Sequence, residues 1–260
     1  MACDFPPENN PQAIIAARQE SPPGCPPFTT SGRDVRICLL DSGVPDHKAI
    51  VNVAGDINFT GSADNKDHVG HSTLISGLIC GNLQGQIRGV APDAMLYYAK
   101  MIDDQCQSRA DSLVAGILWG IIKEVNIIAI PLCTDIDSPA VHDAIKKAYY
   151  ENICVVASAG GDNQFYPAKY EEVLSVGALD QDGKIASFSA KGAFNILGRM
   201  VATTYIDQSF AIATGTSIAT AFAVGIAAKA IEQLRHENIE PTPAIVYDYM
   251  ARCSPHIVKP

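Results

Sequence analysis

The chain has 260 residues, 47% of them hydrophobic and 18% charged, with a formal net charge of −9. That length and apolar content suffice for one large core, and the acidic balance disfavours a nucleic-acid backbone or an anionic membrane surface as the main partner. No run approaches the ~18 consecutive apolar residues of a membrane span, and the N-terminal residues lack the basic and apolar segments of a signal peptide.

Residues 1–32 hold seven prolines around a short helical stretch at 12–19 and read as an extended arm or linker ahead of a single domain, 33–260. From residue 35 the texture changes. Residues 35–40 form an apolar strand that ends at Asp41-Ser-Gly43, 71–80 a helix and 95–100 a second strand. Residues 108–124 have helical spacing, with Leu113, Ile117, Leu118 and Ile121 on one face. A strand at 127–132, a helix at 139–152 and strands at 153–157 and 173–177 follow, before a long Ala-rich helix that starts near Ser217. Strands separated by helices are the pattern of βαβ units. The expected fold is α/β, a three-layer sandwich with a mainly parallel central sheet, whose site lies outside the carboxyl ends of the strands.

Eight cysteines are scattered without a Cys-x-x-Cys pair, which argues against a structural zinc site. Cys38, Cys133 and Cys154 fall in apolar strand-like runs, where a reduced thiol acts as a small hydrophobe, and the usage points to a reducing, cytoplasmic setting.

Asp41 ends a buried strand, His71 opens a helix of small residues, and Ser217 follows a Gly-Thr turn into another. By itself Ser217 reads equally as a helix cap. A serine hydroxyl is a poor nucleophile unless a base takes its proton, and the base needs a carboxylate to fix its tautomer and stabilise its charged form. The chain order Asp, His, Ser is the subtilisin order.

Six segments in register make the chain resemble the subtilisin-like serine protease (subtilase) family. They are Asp41-Ser-Gly43, His71-x-Thr73-x-x-x-Gly77, Gly89-Val-Ala-Pro-Asp-Ala94, Tyr166-Pro-Ala-Lys-Tyr170, the stretch from Val176 to Ser189, and Gly215-Thr-Ser-Ile-Ala-Thr220. The resemblance implies Asp41 as orienting carboxylate, His71 as general acid/base and Ser217 as a nucleophile that forms an acyl-enzyme on a peptide or protein substrate. His68 lies in a more polar stretch and reads as a rim residue, while His47, His142, His236 and His256 carry no partner signal.

Beyond the glycine and second histidine replaced in the His71 motif, the sequence departs from the family at four places. The asparagine that donates to the oxyanion is replaced by Gly161, with Asn163 two residues later as a substitute donor. The family's peptide-binding edge reads Pro131-Leu-Cys-Thr134, placing Leu132 and Cys133 against the substrate opposite Ala159 and Gly160. The loop to Tyr166 is short, which puts Phe165 at the base of the primary pocket and favours a small residue there. Ala49 stands where the family carries a calcium-ligating aspartate, so structural calcium is unsupported, with Asn82–Gly85 as the remaining oxygen source, and no cofactor is required.

Three other readings stay open: a catalytically impaired peptide-binding module, a transpeptidase or macrocyclase using the same acyl-enzyme, and a metallohydrolase on His68 and His71 that lacks a third ligand. The arm is expected to border the cleft and restrain activity. The ending after Arg252 fits one domain of a larger protein.

Overall fold

The structure is a computed structural model that describes residues 29–84 and 86–253. The arm up to residue 28, including the expected helix at 12–19, lies outside the described residues.

In chain order the strands and helices are β1 (Arg36–Asp41), β2 (Val53–Asn58), α1 (His71–Cys80), β3 (Asn82–Leu83), β4 (Ile87–Arg88) and β5 (Met95–Lys100). Next come α2 (Ala110–Ile122), β6 (Ile127–Ile130), α3 (Pro139–Tyr150), β7 (Cys154–Ser158), β8 (Val173–Leu179) and β9 (Phe194–Leu197). The chain closes with β10 (Val201–Tyr205), β11 (Ser209–Ala213), α4 (Thr216–His236) and α5 (Pro243–Cys253).

Seven strands form one sheet in the order β2-β5-β1-β6-β7-β8-β9, and every neighbouring pair is parallel. A parallel sheet covered on both faces needs strands that are apolar on both sides. That is why they read as continuous hydrophobic runs. Ile37, Leu39, Ile127, Ala129, Cys154 and Val156 face the layer of α1 and α4. Their neighbours Cys38, Leu40, Ile128, Ile130, Val155 and Ala157 face the layer of α2 and α3.

Each helix shows a local cause. α3 begins with Pro139, whose missing N–H costs nothing at that position, and Ser138 Oγ accepts from Val141 N. α4 is built of small residues and buried on all sides, so it runs through the core. It is the one helix among the described residues long and apolar enough to cross a membrane, and 94% of its apolar window is buried inside the protein. The far half of α4 also anchors the start of the domain. Glu232 Oε2 accepts from the backbone N–H groups of Ser31, Gly32 and Arg33 at 2.8, 2.7 and 3.0 Å, and Thr30 Oγ1 donates to Lys229 O at 3.0 Å.

Several elements have no counterpart in the sequence reading. Edge strand β2 is Val-Ala-Gly-Asp-Ile-Asn, half exposed and poor in strand formers. β10 and β11 form a separate antiparallel hairpin that lies on α1, with Thr203 and Thr204 donating to Leu74 O and Thr73 O at 2.7 Å each. The expected strand at 127–132 ends at Ile130, because the chain leaves the sheet to bridge Thr134 to Tyr166.

Candidate active site

The parallel register brings two strand ends level. Leu39 pairs with Ala129, and Ala129 with Val156, so two residues further on Asp41 and Ser158 stand at the same height. They share the side-chain parity of Leu39 and Val156 and therefore point toward the α1 and α4 face. One strand separates them, which sets them about 10 Å apart.

Each strand end holds the start of a helix. Asp41, 1% exposed, accepts from His71 Nδ1 at 2.9 Å through Oδ1 and 2.8 Å through Oδ2, and His71 is the first residue of α1. Ser158 Oγ donates to Thr216 Oγ1 at 2.6 Å, and Thr216 opens α4 immediately before Ser217. The two helices pack against each other. Asp41 and His71 are thus joined directly, and Ser217 follows Thr216 at the helix start held by Ser158 on the same carboxyl edge.

The helix-cap alternative for Ser217 fails. Gly215 holds the cap position in extended backbone, and Ser217 lies inside the first turn, where backbone N–H groups lack intrahelical acceptors and the helix dipole is positive. It is buried, with 6% exposure. Burial alone pushes the His71 imidazole toward its neutral form. The Asp41 carboxylate, with a smaller contribution from Asp67, outweighs burial and holds the ring above its ordinary value of 6.5. With Nδ1–H on the carboxylate, Nε2 is the basic nitrogen.

The residues expected to contact substrate lie on the two segments that leave β6 and β7. Thr134 and Tyr166 exchange backbone hydrogen bonds at 2.8 Å each, stitching the segments together. Ala159 and Gly160 are buried, and Phe165 N donates to Ala159 O at 2.9 Å. Gly160 has φ +89°, and a Cβ there would overlap the Phe165 ring and come within 3.2 Å of Cys133 Sγ. The Phe165 ring therefore occupies the open side of Gly160. Leu132, Cys133 and Phe165 also line a cavity of about 500 Å³, walled further by Met101, Leu113 and Tyr170. Gly161 is half-buried on the following turn and Asn163 is exposed.

Other expectations need correction. Cys133 lies outside the strands and is half-buried in the cavity wall; burial raises its thiol as it does those of Cys38 and Cys154, the last to about 12. His47 is buried and does have partners: Nε2 meets Ser209 O and Nδ1 accepts from Ala49 N, both at 3.1 Å. His142 pairs with Glu172 at 3.0 Å and stacks on Tyr170. His68 is exposed, as expected of a rim residue, and bonds Asp64 at 3.0 Å. His256 lies outside the described residues, as does Gly85 of the suggested oxygen-ligand turn. Among the described residues no three His, Cys, Asp or Glu side chains converge as a metal site.

Two buried charges near the site were not legible as such. Lys100, fully buried beside Asp41 in the β1–β5 register, donates to Lys66 O and Asp104 Oδ1 at 2.7 Å each. Asp67 lies just ahead of α1, where an acidic residue is an ordinary helix-start signal and attracts no notice.

Residues 32–246 match the subtilase family. The chain belongs to that family of serine proteases. It is 34% identical to the minor extracellular protease Epr of Bacillus subtilis (strain 168) over 75% of this chain and 32% of the relative. It is 32% identical to Subtilisin DY of Bacillus licheniformis over 76% of each chain. It is 34% identical to the intracellular serine protease of Paenibacillus polymyxa over 81% of this chain and 70% of the relative. The chain thus spans only about a third of the first of these relatives.

Proposed function

We propose that this subtilase is an intracellular serine endopeptidase, with residues 33–260 as its catalytic domain and Asp41, His71 and Ser217 as its triad. The single observation that carries the reading is the His71 Nδ1 contact with both Asp41 oxygens on the strand edge that also positions the start of α4. In the proposed reaction His71 Nε2 takes the Ser217 proton as Oγ attacks the peptide carbonyl. The resulting imidazolium is stabilised by Asp41 and gives the proton to the departing amine, leaving an acyl-enzyme. Water, deprotonated by the same nitrogen, then releases the acid and restores Ser217. No cofactor enters these steps, and calcium has no role in them.

The oxyanion is assigned to the Ser217 N–H, with the Gly161 backbone and the Asn163 side chain as candidate second donors. Leu132, Cys133, Ala159, Gly160 and Phe165 form the substrate walls. Phe165 over Gly160 supports selection of a small residue at the scissile carbonyl, and the adjoining 500 Å³ cavity supports a bulky apolar side chain further along the peptide.

The glycine at 161, in place of a side-chain donor, favours one second reading: an impaired enzyme that binds peptide. Peptide turnover in heavy-oxygen water, followed by product mass, separates the outcomes. Hydrolysis puts one heavy oxygen in each new carboxyl group and supports the proposal. Joined products instead indicate transfer to an amine, and peptide binding without any cleavage indicates the impaired module.

A further inference from the structure

Asp67 is 7% exposed and has no part in the reaction as written above. Its Oδ1 accepts from Ser42 Oγ and Gly70 N at 2.8 Å each and from Val69 N at 3.2 Å. Its Oδ2 accepts from Thr73 N at 2.8 Å and Thr73 Oγ1 at 2.6 Å. All five partners are donors, a set that a carboxylate satisfies and an amide would not.

These donors belong to the two pieces of backbone that carry Asp41 and His71. Ser42 follows Asp41 and donates its own N–H to Asp41 Oδ1 at 2.7 Å, while its hydroxyl accepts from Ser72 N at 3.0 Å. Gly70 precedes His71, and Thr73 lies in the first turn of α1.

We propose that Asp67 is a positioning residue: by bonding Ser42 on one side and Gly70 and Thr73 on the other, its carboxylate locks the strand end bearing Asp41 to the helix start bearing His71. The inference rests on the triad reading above and adds to it a residue that acts through His71. Asp67 also acts on the ring as a second negative charge that favours the imidazolium, after Asp41.

The other titratable groups on the packed elements do not compete in that role. Tyr98 on β5, Cys80 on α1 and Tyr205 on β10 are all raised by burial and so stay neutral near pH 7. Lys100 on β5 is engaged by Asp104 and Lys66 O. Arg88 on β4 pairs with Asn82 beyond the end of α1, and Lys229 and Glu232 lie about 18 Å or more along α4 from Ser217.

The test is the pH dependence of fluorophosphonate labelling of the full chain, together with an NMR titration of the His71 ring. Asp67→Asn keeps the size but removes the charge and one acceptor. Labelling is expected to slow about 10- to 100-fold, the scale of a small misplacement of a catalytic group, and the His71 midpoint to move to lower pH. Ser42→Ala keeps the charge and cuts one arm of the lock, so labelling slows about 3- to 10-fold while the midpoint stays. A midpoint unmoved by Asp67→Asn overturns the proposal, as does unchanged labelling in Ser42→Ala, which decides the matter if Asp67→Asn fails to fold. If the parent chain takes no label, the triad reading falls, and the NMR titration still decides the influence of Asp67 on His71.

Discussion

Replacing Phe165 by alanine should alter which peptides are cut more than it alters the fold. The ring covers the open side of Gly160 and reaches the surroundings of Cys133 Sγ, between the segments joined by the Thr134–Tyr166 bridge. A fully buried Phe→Ala change costs about 3–5 kcal/mol, and Phe165 is only partly buried, so about 2 kcal/mol is expected. The vacated space admits a larger side chain next to the scissile carbonyl. Leucine has three more carbons than alanine, and at about 0.8 kcal/mol each the gain approaches 2.4 kcal/mol, or about 50-fold in kcat/KM. The assay is kcat/KM on two chromogenic peptides that differ only in alanine or leucine at that position. The parent chain should prefer alanine, and Phe165→Ala should raise the leucine-to-alanine ratio by about 10- to 50-fold. An unchanged ratio in a variant that melts cooperatively would refute the argument that Phe165 sets the pocket depth.

Other residues give further expectations. Asp41→Asn removes the charge and one of the two acceptor oxygens that fix His71, and loss of the orienting carboxylate in serine-protease triads lowers turnover about 10⁴-fold, a drop readable by steady-state kinetics; a tenfold effect would contradict the role. His71 must be neutral to accept a proton, and its pKa is held above 6.5, so kcat/KM should rise with pH through a midpoint above 6.5; a midpoint below it would contradict the Asp41 contact. Its pairing also adds stability that is complete below pH 6.5 and disappears as pH rises through the folded value. Glu232→Ala strips the acceptor from three backbone N–H groups and should cost about 2–3 kcal/mol in urea unfolding, with under about 0.5 kcal/mol counting against the anchor. Burial lowers the His47 pKa, the carbonyl of Ser209 partly opposing, so its stabilising contribution is present above pH 6.5 and lost as pH falls through the lower folded value. Urea unfolding at pH 7.5 and pH 5 should show that loss, and His47→Phe should reduce it.

The sheet was legible because parallel strands buried on both faces must be apolar throughout, and runs such as Ile127–Ile130 have few other uses. α1 and β5 begin and end where the sequence places them, since Gly70 and Gly81 bracket the helix and the turn at Pro92-Asp93 precedes the strand. β2 and the β10–β11 hairpin escaped for the opposite reason: their pairing is set by tertiary contacts, such as Thr203 and Thr204 on α1, which leave no periodic trace. The same limit applies at the site. Asp41, His71 and Ser217 stand out by residue type and order, whereas Asp67 shows its importance only through donors gathered from Ser42, Gly70 and Thr73. His47 looked polar and unattached because Ser209, its partner, lies 162 residues away in the chain.

The most direct test is to treat the full chain with a fluorophosphonate at pH 8 and locate the adduct by peptide mass analysis. One phosphonyl group per chain on Ser217, absent from Ser217→Ala and strongly slowed in His71→Ala, is the result the triad requires. An unlabelled chain, or an adduct on some other residue that persists in Ser217→Ala, would contradict it.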